Sequence, residues 1–277
     1  MSWVEHVVIA PFSYDFMQRA AIVGVFTAVV AGVLSCWLVL VGWSLLGDAV
    51  SHAVLPGVVV AYALGLPLAV GALVAAVLAV GLVGSVRERT TLREDAGIGV
   101  VFTGLFALGL VLLTVLPRGP HLNELLFGSV LGITQAALWQ TLCCGAVALV
   151  ALLLCRRVLT WWAFDATHAR ASGVNTTAVR WVLLGSLALV VVASVQAVGV
   201  ILVVAMLITP GATAYLCTRR FHRMLLLAPL LAGGSALAGL LLSYHTNVSS
   251  GGAIVLAQSA LFAVAFGVAR LRGKPRG

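Results

Sequence analysis

The chain has 277 residues, 62% of them hydrophobic and only 9% charged, with a mean hydropathy of +1.16 and a formal charge of +8. A soluble domain carries about 25% charged residues, so this deficit, together with repeated apolar runs of about 20 residues, excludes a soluble globular fold. The runs lack the alternation of a membrane barrel, which leaves an all-α polytopic membrane protein; few aromatics interleave the arginines, so no nucleic-acid partner is expected.

In chain order, residues 1–16 read as an interfacial lead-in interrupted by Pro11, with no cleavage site of the secretory kind. Apolar spans follow over about 17–37, 43–64, 67–86, 96–116, 135–155, 180–198, 199–218, 224–243 and 253–270. Almost no polar turn separates the pair at 180–218, only Ser194 to Gly199, so the expected number is eight or nine transmembrane helices. A basic tail, 271–277, ends a single transmembrane domain covering 1–277.

Basic residues set the expected orientation. Arg87, Arg89 and Arg93 share one loop, and Arg156, Arg157, Arg170 and Arg180 lie in or beside a second. Arg219, Arg220 and Arg223 form a third cluster, and Arg270, Arg272, Lys274 and Arg276 a fourth. With nine spans these 14 of the 16 basic residues fall on one side, leaving Arg19 and Arg118 on the other. That places the N-terminus outside and the C-terminus in the cytoplasm.

Cys36, Cys143, Cys144, Cys155 and Cys217 lie in or beside apolar runs without CxxC spacing and read as packing residues. Gly273-Lys274-Pro275 lacks the glycine loop of a nucleotide site, so ATP, if used, is bound by another chain.

The informative stretch is Gly47 to Gly57, within a long apolar context. Asp48 and His52 are four residues apart, one turn apart on one helix face. An ionisable residue inside a bilayer is costly and marks a pathway or a site. A carboxylate and an imidazole suit zinc, manganese and ferrous iron, and the absence of sulfur ligands argues against copper(I). Pro56 removes a donor and crowds the carbonyl of residue 52, which predicts a kink and a freed carbonyl as a further ligand. Ser44 and Ser51 lie on or beside the same face as candidate supporting donors. Two ligands do not close a metal site. Two copies of this helix about a symmetry axis supply four. The alternative is structural, with Asp48 paired to His52 or to a neighbouring hydroxyl.

Weaker pathway candidates are Ser51 (beside Asp48), His121 and Glu124 in an external loop, and His245 in another; solvated loop positions account better for the last three. His168 and His222 sit among arginines at the surface, Glu88, Glu94 and Asp95 balance neighbouring arginines, and Pro210 kinks a helix end.

The Gly47–Gly57 stretch resembles the hallmark of the permease subunits of zinc/manganese/iron ATP-binding cassette importers. Five further segments are similar to that family: Asp95 to Phe102, Leu122 to Gly128, Phe164-Asp165 through Gly173, Val198-Gly199 through Ala212, and Ser249 to Leu256. Val41-Gly42-Trp43-Ser44 stands where the family often has two arginines, and Asp165-Ala166-Thr167-His168 is less acidic than usual.

The resemblance implies a bacterial inner-membrane, multi-pass homodimer working with separate nucleotide-binding ATPase subunits and an external solute-binding protein. Asp48 and His52 would line the cation pathway. The ATPase would dock on the cytoplasmic coupling loop, 156–178, through Phe164, Asp165, Ala169 and Gly173. The chain is then a transport subunit and not an enzyme. It holds no permanent cofactor and passes manganese, zinc or iron through the bilayer. Three other readings fit less of the sequence: a permease for a chelate such as haem or a siderophore, a secondary transporter in which Asp48 carries a proton, and an intramembrane metalloenzyme, for which no HExxH motif is present.

Overall fold

The computed structural model describes residues 10–89, 94–115 and 133–271. After a short 3-10 turn, Ala10–Ser13, the described residues are helical throughout: α1 (Asp15–Val41), α2 (Ser44–Ala53), α3 (Leu55–Ala63), α4 (Leu68–Arg89), α5 (Glu94–Val115), α6 (Gln135–Leu154), α7 (Arg156–Phe164), α8 (Ala166–Ala171), α9 (Thr176–Val198), α10 (Val200–Cys217), α11 (Phe221–Thr246) and α12 (Ser250–Leu271). Eight segments, counting α2 and α3 as one, are long and apolar enough to cross a membrane. The ninth expected span, α10, is shorter, with its apolar stretch at Leu202–Cys217. The tail at 272–277 and most of the lead-in lie outside the described residues.

Two glycines make the sharpest turns. Gly42 (φ +80°) closes α1, its N–H reaching Val39 O while Trp43 N–H reaches Leu38 O at 2.8 Å. This left-handed closure satisfies two terminal carbonyls and lets α2 start at once. Gly199 (φ 80°, ψ 162°) occupies a region essentially restricted to glycine. It constitutes the whole turn between α9 and α10, which is why the sequence shows no polar linker there.

The α1 helix is the axis of the bundle. It packs against α11, α10, α6 and α9, and 72% of its apolar window is buried. Small residues allow this closeness: a side chain at Gly32 would meet the backbone of Pro229, and one at Gly211 would meet Ser35. Across α3 and α4, Gly57 and Gly71 approach so closely that a Cβ on either would overlap the carbonyl oxygen of the other.

The two ends of the bundle differ. At one end the Trp37 ring lies 5.5 Å from Phe221, its Nε1 donates to Thr160 Oγ1 at 3.3 Å, and Trp43 lies 5.5 Å from Trp162. The close of α1, the start of α2, α7 and the start of α11 therefore meet beside Arg156, Arg157, Arg219, Arg220 and Arg223. At the other end Tyr14 and Tyr244 are 6.4 Å apart. Thr141 Oγ1 donates to Ala193 O at 3.0 Å, joining the first part of α6 to the last part of α9. From the Gly199 turn α10 runs back, and its Ala214 packs with Cys36, Met224 and Ala228 near the basic end.

Candidate metal site

The site lies on α2, which starts at Trp43 without a side-chain cap and owes its place to packing. Gly47 seats against Leu207 of α10, and Leu46, Ala49, Val50, Ser51 and Ala53 are buried. The opposite face carries exposed Leu45, then Asp48 and His52, whose side chains are 37% and 27% exposed. His52 lies near the middle of the 20-residue apolar segment Ser44–Ala63, which is long enough to cross a bilayer.

The histidine is held from two directions. Its Nδ1 lies 3.2 Å from Asp48 Oδ1 and 3.1 Å from Asp48 O. Both are acceptors, so Nδ1 carries the hydrogen and donates, which leaves the Nε2 lone pair for a cation. From α5, Phe102 and Phe106 stand edge-on to the imidazole, with centroids 5.3 and 5.4 Å away and interplanar angles of 76° and 81°. The two phenyl rings are themselves stacked at 6.0 Å. Nothing in the sequence marks this clamp, because phenylalanines four residues apart in an apolar span read as ordinary packing.

The helix is interrupted just before Pro56, where a kink is expected, since α2 ends at Ala53 and α3 begins at Leu55. The freed carbonyl is not. The amides at the Val54 junction reach the carbonyls of Val50 and His52, so position 52 is already engaged. Ser51 also departs from expectation: it is buried and its Oγ donates 2.8 Å to the main-chain oxygen of Asp48, not to the carboxylate. His245 lies on the last turn of α11 beside Tyr244, at the tyrosine end, and is not brought to Asp48 and His52. His121 and Glu124 lie outside the described residues. Among the described residues no group of three or more His, Cys, Asp or Glu side chains gathers in a way that could hold a metal. Among the described residues the pair therefore stands open, with no third side chain of these types beside it.

The segment expected to meet an ATPase folds as two short helices. The Asp165 carboxylate accepts the amides of Thr167 and His168, each at 2.9 Å, and so caps α8. Gly173 (φ +82°) ends that helix. Phe164, Asp165 and Gly173 are exposed, but Ala169 is only 1% exposed and packed into the core. As a small side chain on the inner face of α8, it supports the helix and offers no surface for docking.

With this geometry in hand, comparison with known proteins gives the class first. The family model described as the ABC 3 transport family matches residues 13–269, and the chain belongs to that family. It is a permease, a multi-pass transport subunit, in line with the sequence resemblance. Among its relatives, the manganese transport system membrane protein MntB of Synechocystis sp. is 47% identical over 260 residues, covering 94% of this chain and 85% of that protein. The chelated iron transport system membrane protein YfeD of Yersinia pestis is 44% identical over 265 residues, covering 96% and 89%. The solved structure of PsaBC from Streptococcus pneumoniae in complex with a Fab superposes with a TM-score of 0.86 at 34% identity, over 95% of each chain.

Proposed function

We propose that this chain is the membrane permease of an ATP-driven importer for a divalent transition metal, manganese before iron, and that Asp48 and His52 are its cation site. The observation that carries this reading is the pair itself, one turn apart near the middle of an apolar spanning segment, on a face that is only partly covered. The names of the relatives support manganese and iron over zinc.

A second copy completes the site. Only 6% of the apolar window of α5 and 28% of that of α4 are buried, against 72% for α1. An apposed copy covers this bare side and doubles the ligands. The four basic clusters lie in the cytoplasm, with the N-terminus outside and the C-terminus inside. Separate ATPase subunits dock on α7 and α8 around Phe164 and Asp165, and an external solute-binding protein delivers the cargo at the tyrosine end.

In this mechanism the ion sheds water as the carboxylate supplies charge and Nε2 supplies a directed lone pair. Asp48 both orients the imidazole and offsets the cation. Phe102 and Phe106 keep the ring from turning and exclude water beside it. Release follows when α2 and its counterpart separate and the ligand set falls below what holds the ion.

The test is uptake by the reconstituted complex with manganese, iron and zinc in competition. His52→Ala and Asp48→Ala are each expected to lower transport at least about 100-fold, the upper part of the range for disturbing a metal site, with ATPase assembly unchanged. Normal transport by both variants would make the pair structural. One relative's name, a chelated iron transport system, favours a second reading in which the cargo is a chelate. Uptake of an intact iron chelate in preference to the free ions would establish it.

A further inference from the structure

We propose that Trp162 on α7 and Trp43 at the start of α2 form the link through which the α7–α8 segment sets the position of the Asp48 end of α2. The proposal rests on the transporter reading above and adds two positioning residues to it. Both indoles are nearly buried, 5% and 6% exposed, and they meet edge-on with centroids 5.5 Å apart at 67°.

The placement of Trp43 gives this contact its consequence. Its N–H reaches Leu38 O at 2.8 Å and its carbonyl accepts Leu46 N–H at 3.0 Å, so one residue ends α1 and begins α2. No loop intervenes to absorb a displacement. Asp48 follows five residues later, about 7.5 Å along the axis. A shift of the Trp43 side chain is therefore passed along a rigid helix to the carboxylate, which in turn holds His52 Nδ1.

The α7 helix is built to receive such a shift. Trp161 and Phe164 are largely exposed, while Leu159 and Trp162 face inward. Two other contacts tie the helix to the scaffold: Thr160 to Trp37 of α1, and one side of Phe164 to Phe221 of α11 at 6.2 Å. Trp162, by contrast, meets the residue from which the ligand-bearing helix starts. Packed aromatic faces have discrete arrangements and are poorly compressible.

The experiment uses the full complex in lipid nanodiscs and liposomes, with Trp162→Ala, Trp162→Phe, Trp43→Ala and the double variant Trp43→Ala/Trp162→Ala. Two quantities are read: ATP hydrolysed per ion moved, and the ATP-dependent change in amide hydrogen exchange over residues 44–53. Trp162→Ala is expected to keep ATPase binding and hydrolysis while raising ATP used per ion at least about 5-fold, and to lose the exchange change. The double variant should be no worse than Trp162→Ala, and Trp162→Phe, which retains an edge-on ring, should restore most of the coupling. A proportional fall in hydrolysis and transport, or an unaltered exchange change in Trp162→Ala, overturns the proposal. The exchange readout needs no cargo. Normal metal uptake by Asp48→Ala would therefore sink the metal-site reading while leaving the exchange result to decide the link.

Discussion

The two sides of this bundle obey different rules. Around α1, contacts are made by small residues and most of the helix is buried; Gly32 meets Pro229 and Gly211 meets Ser35. Around α5, helices are equally apolar but largely bare, and Gly99 and Gly104 have nothing within 4 Å of a would-be side chain. Hydropathy does not separate the two, because lipid and a protein interior are almost equally apolar. What separates them is coverage within one copy, 72% of the apolar window of α1 against 6% of that of α5. One side is a scaffold complete within a single copy; the other is a surface for lipid or another chain. The α2 helix lies on the seam, its Gly47 face on the scaffold and its Asp48–His52 face toward α5.

The largest structural effect expected from breaking this contrast is at Gly57. A valine there, or at Gly71, would push side-chain carbon into the facing backbone. Overpacking of this kind costs about 3 kcal/mol, and since backbone cannot step aside, the yield of folded permease in detergent should collapse. Gly81→Ala, with open space around it, should leave both yield and melting temperature unchanged.

A smaller effect is expected at the aromatic clamp. Phe102→Leu and Phe106→Leu keep the surface apolar but release the imidazole. Each should raise the half-saturating metal concentration in uptake by about 3- to 10-fold, the lower part of the range seen when groups supporting a ligand are lost, with a maximal rate near wild type. An unchanged half-saturation would reduce the clamp to packing. Smallest of all is Asp165→Ala, which removes the cap of α8 and should cost about 1 kcal/mol of local stability. Faster amide exchange at Thr167 and His168 would register it, with little change elsewhere.

Much of this architecture was legible in the sequence, and the limits of that reading are physical. Runs of apolar residues located the spans to within a few positions, because a bilayer requires a minimum length. The Asp48–His52 pair stood out because charge in such a run is rare, and its spacing fixed the shared face. The clamp on His52 was invisible, since Phe102 and Phe106 lie about 50 residues away and resemble any lipid-facing phenylalanine. Ser51 was assigned to the wrong surface because positions adjacent on a helix diverge by 100°, and only packing on neighbouring helices decides which is buried. Ala169 carried no chemistry of its own, and motif position alone could not tell a docking residue from the support beneath it.

The Gly57–Gly71 contact also has a mechanical consequence. With no layer of side chains between them, α3 and α4 touch backbone to backbone, and that point serves as a fulcrum. Gly71 is three residues from the start of α4 and eighteen from Arg89. At 1.5 Å per residue the arms are about 4.5 Å and 27 Å. A displacement at the start of α4 is thus magnified about sixfold at Arg89, the last residue of that helix.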